Sequence, residues 1–287
     1  MKKNNLVVGV SGGKDSTALC LHLIHNLKYK KSEFKRVFMD TGWEDDGTYQ
    51  YLDYLESVIG PITRLKADID IKKHHDDVAY FENKLGYTSP MIRLFFRYEN
   101  YPRNFMRWCT SSLKLKPLKS YYDSLDFEPC NVVGIRKAES KSRSKMQEFD
   151  WSDYLDCEVW RPIINWAEKD VIDIHNKHNV IPNKLYLNGS DRVGCYPCIN
   201  SNKNEIRNLS KERIELLFEI ETRINKIRAK SQKEPCGFFK TKNRNKTLIK
   251  DVVDWSQTSY GGKQYFLFDT TEPSCMKWGL CDYNPKT

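Results

Sequence analysis

Apolar residues first gather at 6–10, a β-branched run (LVVGV) that suits a buried parallel strand. Over 15–25 they recur at helical spacing, at Ala18, Leu19, Leu21, Leu23 and Ile24. A second apolar run, RVFMD, ends at Asp40 and leads through TGWE into a helix over 48–59. ITRLK, after Pro61, forms a third short strand. Residues 71–108 read as helical and close in an aromatic, arginine-rich run, IRLFFRYENYPRNFMRW. NVVGI is a fourth strand and opens into RKAESKSR. VWRPI is a fifth, and AEKDVIDIHNKHN is a helix. Strands alternating with helices predict an α/β fold on a parallel sheet. The sheet ends near Pro162, so the expected division is 1–179 for the sheet domain and 180–287 for a C-terminal region rich in cysteine and basic residues.

The turn between the first strand and helix carries the sharpest chemistry. Ser11-Gly12-Gly13-Lys14-Asp15-Ser16 is not a Walker A loop, which needs G-x-x-x-x-G-K-[ST]. Gly12 and Gly13 permit positive φ and close backbone approach. A helix N-terminus following such a turn presents unpaired N–H groups to an anion. Lys14 adds a point charge, and Ser11 and Ser16 add hydroxyls. A nucleotide phosphate is the expected ligand. In open α/β sheets ligands bind outside the carboxyl ends of strands. Asp40, Thr41 and Gly42 therefore fall beside the turn. A second anion candidate follows the fourth strand, where Gly134, Arg136, Lys137, Lys141 and Arg143 stand in GIRKAESKSR; arginine at a strand end suits bidentate phosphate recognition.

Charge and cysteine content refine this picture. The formal net charge is +9. Residues 201–250 hold 14 Lys or Arg against six Glu, which suggests a polyanion partner or a solvated amphipathic helix. No apolar run reaches the roughly 20 residues of a membrane span. The start, MKKNN, enters a strand without a signal-type apolar region, so a cytoplasmic protein without membrane association is expected. Nine cysteines in that setting argue against a disulfide framework. Cys20, Cys130 and Cys157 lie in or beside apolar runs and read as core. Cys195 and Cys198 form GCYPC; a lone C-x-x-C is a redox pair, half a zinc site or half an iron–sulfur site. Cys109, in MRWCTSSLK, supplies a distant thiol with Arg107 and Lys114 nearby. Thiolates from separate segments suit a [4Fe–4S] cluster on Cys109, Cys195 and Cys198, with Cys281 chosen over Cys275 as the fourth ligand. His74 and His75 are adjacent and read as surface residues.

SGGKDS, DTGWEDDGTYQYL, RWCTSSLKLKP, GIRKAESKSR, RPIINW and LYLNGSDRVGCYPC, in this order, resemble the phosphoadenosine-phosphosulfate (PAPS) reductase family of the PP-loop ATP pyrophosphatase superfamily. The resemblance covers residues 6–198 and implies a Rossmann-like sheet of the adenine nucleotide alpha hydrolase kind. It implies two chemistries. Sulfonucleotide reductases attack a sulfate with a C-terminal cysteine and release sulfite. Relatives with an intact SGGKDS loop, such as DNA-phosphorothioation enzymes, split ATP between the α and β phosphates and adenylate an oxygen for sulfur transfer. The intact Lys14-Asp15-Ser16 and the absence of a Glu-Cys-Gly-Leu-His tail favour the second group. In that reading ATP and Mg²⁺ bind at Ser11 to Ser16. Lys14, Asp15, Arg136 and Arg143 act in catalysis, Asp40, Thr41, Gly42 and Gly134 border the nucleotide, a cysteine desulfurase or similar protein supplies sulfur, and nucleic acid is the acceptor. A nucleotide-sensing, iron–sulfur nucleic-acid binder without turnover is a third reading.

Overall fold

The computed structural model describes residues 5–240, 248–260 and Trp278. The predicted strand–helix alternation is present, as β1 (Leu6–Gly9), α1 (Lys14–Leu21), β2 (Phe34–Asp40), α2 (Asp46–Ile59) and β3 (Thr63–Lys66). Then come α3 (His75–Leu85), α4 (Pro90–Tyr98), α5 (Trp108–Thr110), a π turn (Ser111–Leu115) and α6 (Lys116–Asp123). β4 (Cys130–Val132), β5 (Phe149–Ser152) and β6 (Cys157–Trp160) complete the sheet; α7 (Glu168–Lys177), α8 (Lys184–Leu187), α9 (Lys203–Arg207), α10 (Lys211–Lys230) and α11 (Ile249–Gln257) follow.

The sheet runs β3-β2-β1-β4-β6-β5. All neighbours are parallel except β5 and β6. This is the doubly covered parallel sheet that continuous apolar strands require. Along β1, Leu6 and Val8 face one core with Leu19, Leu52, Leu55 and Ile174. Val7 faces the other side, with Leu118, Tyr122 and Cys157. The chain reverses direction of winding at β1, so the carboxyl ends of β1, β2 and β4 open on one crevice. Cys20, Cys130 and Cys157 are buried apolar groups, as their patterning suggests.

Two expectations need correction. Residues 71–108 are not one helical stretch. α3 ends at Gly86, at φ 76°, α4 ends at Glu99, at φ 48°, and 99–107 is non-helical. Ser89 caps α4 by accepting from Ile92 N at 3.3 Å, with Pro90 in its first turn. The sheet also has a sixth strand. β5 is an antiparallel edge, and its FDWS sequence is largely exposed, so no alternation marks it.

A second core lies off the sheet. Trp43, Phe81, Phe95, Phe96, Leu217, Ile220 and Phe238 pack together, joining the segment after β2 to α3, α4 and α10. Within it the Glu221 carboxylate accepts from Phe238 N at 2.7 Å and Ile249 N at 2.6 Å, fixing the chain on either side of the basic run 240–248.

Candidate active site

The turn after β1 is built by its own hydroxyls. Ser11 N donates to Ser16 Oγ at 3.1 Å, Gly13 N to Ser11 Oγ at 3.3 Å, and Ser16 Oγ and Thr17 Oγ1 to Gly13 O at 3.0 and 3.1 Å. Gly12 sits at φ 71°, where a Cβ would also fall 2.9 Å from Thr48 Cγ2. Thr17 N is the first amide to return to the α1 ladder, onto Gly13 O at 3.2 Å. Lys14 N donates to Tyr186 OH at 3.0 Å. The amides of Asp15 and Ser16 have no protein acceptor among the described residues. They form the anion-binding end that a helix N-terminus offers.

Charge converges on the same point. Lys14 is buried, with Nζ 3.3 Å from Asp15 Oδ2 and 3.7 Å from Glu168 Oε1. The buried Arg136 donates from Nε to Asp15 Oδ1. Among the described residues its two terminal nitrogens have no acceptor. Asp15 is thus engaged on both oxygens, by Arg136 and by Lys14, and orients both cations. Arg143 lies further out on a 3₁₀ turn, paired with Glu139. Gly134 packs on the turn itself: a Cβ there would meet Asp15 O at 2.8 Å and Asp15 C at 3.0 Å, both backbone atoms that cannot step aside. Gly134→Ala is therefore expected to cost about 1–3 kcal/mol of stability through overpacking and to weaken nucleotide binding; denaturant midpoints and nucleotide titration check both.

Asp40, at the end of β2, accepts from Gly42 N and Tyr49 OH, both at 2.8 Å, and lies 3.4 Å from Lys66 Nζ. Gly42, at φ 63°, lets the chain pass Ser89 and Pro90, where a Cβ would come within 2.8 Å of both. Thr41 is buried after the end of β2. Its hydroxyl donates to Glu44 Oε1 at 2.7 Å and lies 3.9 Å from Cys195 Sγ.

That contact joins the nucleotide end of the sheet to the cysteines. Tyr196 N donates to Trp43 O at 2.8 Å and Trp43 Nε1 to Pro197 O at 3.0 Å, so the GCYPC segment docks on the residues after β2. Cys109 comes from one segment and Cys195 and Cys198 from another, and all three share the field of Lys114. Burial pushes the Cys195 thiol up to about 12, against the pull of Lys114. Burial raises Cys109 as well, again opposed by Lys114. Such thiols are neutral near pH 7, and a bound metal would deprotonate them. Among the described residues no three His, Cys, Asp or Glu side chains meet at metal-ligand spacing. The three thiols are soft donors that do not form a closed ligand set in this arrangement; Lys114 would offset the negative charge of thiolates held there by a metal. Cys281, the fourth expected ligand, lies outside the described residues, as does Cys275. His74 is half-buried, with Nε2 3.3 Å from Glu99 Oε1, and His75 is exposed.

Several residues at the site were not singled out by the sequence, although Tyr186 and Glu44 stand inside motifs that it marks. Tyr186 and Asn183 come from the segment before GCYPC; Asn183 Nδ2 donates to Gly12 O at 3.3 Å. Glu44 is buried and accepts from Thr41, Trp43 and Tyr49. His175, on α7, donates from Nδ1 to Val171 O at 2.7 Å, and its ring meets Trp278 edge-on at 5.3 Å. Its Nε2 has no partner among the described residues. Burial lowers the His175 pKa from 6.5 to about 4. The unfolded chain therefore binds a proton before the folded one does. Stability is expected to be full above about pH 6.5 and to fall by up to about 3 kcal/mol as pH drops toward 4. Urea midpoints across that window should show this slope, and His175→Gln should flatten it.

The profile of the phosphoadenosine phosphosulfate reductase domain family matches residues 5–201. A protein of Escherichia phage 186, described only as an uncharacterized 37.8 kDa protein in the gpa 5′ region, is 30% identical over 96% of this chain and 96% of its own length. An adenosine 5′-phosphosulfate reductase of Salinibacter ruber is 23% identical over 66% of this chain and 65% of that protein. Among solved structures, the phosphate complex of phosphoadenylyl-sulfate (PAPS) reductase from Candida auris is 17% identical, covers 67% of this chain and 81% of that chain, and aligns with a TM-score of 0.47.

Proposed function

The chain belongs to the phosphoadenosine phosphosulfate reductase family, and from that premise we propose that it is an ATP pyrophosphatase that adenylates an acceptor oxygen for sulfur transfer, with nucleic acid as acceptor. The observation that carries this reading is the convergence of Lys14, Arg136 and the free amides of Asp15 and Ser16 on one turn. That is more cationic and donor capacity than a single sulfate-bearing phosphate needs, and it suits a triphosphate.

In this reading Lys14 and the two amides hold the β and γ phosphates, with Mg²⁺ carried by the nucleotide. Arg136, oriented by Asp15, offers its free terminal nitrogens to the α-phosphate, where negative charge builds in the transition state. The acceptor oxygen attacks the α-phosphorus, the bond from that phosphorus to the α–β bridging oxygen breaks, and pyrophosphate leaves. The terminal sulfur of a donor persulfide, such as that on a cysteine desulfurase, attacks the acceptor atom that bears the adenylated oxygen. The bond from that atom to the oxygen breaks, and AMP leaves with the oxygen. A second thiol of the donor reduces the resulting acceptor–donor disulfide, freeing the thiolated acceptor and leaving the donor as a disulfide. Cys109, Cys195 and Cys198 would hold a [4Fe–4S] cluster, whose chemistry is to bind and deliver sulfur. Lys114 offsets the charge of its thiolates, and Thr41 links that region to the nucleotide end of β2.

A second reading rests on Trp278. It is seated against Tyr186 at 5.9 Å, and Tyr186 holds the Lys14 amide. Trp278 stands three positions from both Cys275 and Cys281 in the sequence, so a reductase using one of those thiols against a sulfonucleotide is the competing chemistry. Parallel anaerobic incubations with ATP and with PAPS plus thioredoxin separate the two. Pyrophosphate from ATP supports the first reading. Sulfite from PAPS, lost on Cys281→Ser or Cys275→Ser, supports the second.

A further inference from the structure

Much of the basic charge in 201–250 is paired within the chain. Arg213 is buried against Trp43 and donates to Glu44 O at 3.1 Å. Arg207 donates to Ser256 O, Arg223 pairs with Asp77 at 2.9 Å, and Lys250 pairs with Glu215 at 3.0 Å. Lys211, Lys226 and Lys230 of that stretch are exposed without a carboxylate partner among the described residues, and a second group of uncommitted cations lies outside it. Arg97 and Arg107 are exposed and have no carboxylate partner among the described residues. Between them the chain makes a tight turn. Arg103 N donates to Met106 O at 3.2 Å and Met106 N to Arg103 O at 2.9 Å. The Arg103 guanidinium ties the turn down, donating to the carbonyls of Pro102, Phe238 and Gly237 at 3.1, 2.9 and 2.8 Å. At its tip Phe105 is fully exposed, at 101%, and Met106 is 64% exposed. Tyr98, 47% exposed, stands 5.1 Å from Trp108, and Cys109 follows directly.

We propose that this turn is a base-stacking site for single-stranded nucleic acid, with Phe105 as the stacking face and Arg97 and Arg107 as phosphate contacts. The proposal rests on the nucleic-acid acceptor reading above and names where that acceptor is gripped. The physical case has three parts. A phenylalanine fully in water on a turn fixed by five hydrogen bonds is pre-organised, so stacking a base on it costs little ordering. The exposed apolar area is that of one or two side chains, far below the roughly 800 Å² per partner of a stable protein interface, yet it matches the face of a base. The flanking charges are both unpaired guanidinium groups, which complement a phosphate backbone. The turn also stands four residues before Cys109, so a strand held there lies beside the segment that carries the thiol.

The test uses the intact protein and fluorescently labelled oligodeoxythymidylate and oligouridylate, read by anisotropy across a salt series. Phe105→Ala and Phe105→Leu should each weaken binding by about tenfold or more with the salt slope unchanged, because leucine keeps the apolar surface but not the ring face. Phe105→Trp should bind as the parent does. Arg97→Gln and Arg107→Gln should each shallow the log–log salt slope by about 0.7. Parental affinity in Phe105→Ala or Phe105→Leu would overturn the stacking site while leaving the acceptor reading standing. A parent protein that binds neither oligonucleotide would overturn the acceptor reading and the stacking site with it.

Discussion

Lys14→Ala is expected to lower kcat/KM for pyrophosphate release from ATP by about 10²–10³, the loss typical of removing one pre-organised charge-stabilising group. The lysine is buried beside Asp15 and Glu168 at the head of α1, in the turn that carries the free amides. Its loss leaves Asp15 paired with Arg136, so no carboxylate is left buried without a partner. The fold should survive: thermal unfolding of the variant should stay cooperative. Lys14→Arg should recover only part of the activity, because a planar fork does not replace a compact ammonium in a space closed by Tyr186, whose ring lies 5.3 Å from Nζ. Undiminished turnover in Lys14→Ala would remove the turn from the chemistry.

Cys195→Ser is expected to abolish metal binding. Cys195 lies at the meeting of the two halves of the site, 3.9 Å from the Thr41 hydroxyl, and takes part in the same charge balance as Cys109, Cys198 and Lys114. Anaerobically isolated protein should carry about four irons per chain with matching sulfide if the centre is [4Fe–4S]. The serine variant should carry less than one. Serine places a smaller oxygen where cysteine has sulfur and hydrogen-bonds readily, so the docking of Tyr196 and Pro197 on Trp43 should hold and the variant should stay folded. Stoichiometric zinc in the parent, lost in the same variant, would keep the ligands and change the metal.

The parallel sheet, the turn after β1 and the cationic run after β4 were legible because each rests on a local rule, whereas the pairing of Arg136 with Asp15 across 121 residues was not. An apolar β-branched run, two glycines and a helical period suffice for β1 and α1, and a strand end followed by Arg136 suffices for the second cation. β5 was not legible: Phe149 and Trp151 are exposed, so its pairing depends on β6 rather than on its own pattern. Tyr186, Asn183 and Glu168 were missed for a different reason. They reach the turn from positions more than 150 residues away; Tyr186 stands in the marked LYLNGSDRVGCYPC run but reads there as a core tyrosine, and Asn183 and Glu168 read as a helix cap and a surface glutamate. The break between α4 and α5 was hidden by an aromatic run that reads as helical until Glu99 adopts positive φ. That Cys109, Cys195 and Cys198 act together is an expectation from residue chemistry alone: among the described residues they do not meet at metal-ligand spacing, and the buried Glu44 and half-buried Lys114 near them emerge only in three dimensions.

The most direct test is the position at which the nucleotide is cut. Anaerobic protein is incubated with Mg²⁺, a single-stranded oligonucleotide, a sulfur donor and ATP labelled either on the α or on the γ phosphate. Cleavage between the α and β phosphates predicts the γ label in pyrophosphate and the α label in AMP or on the oligonucleotide, with neither ADP nor orthophosphate formed. ADP with labelled orthophosphate, or intact ATP alongside sulfite released from PAPS, would contradict it.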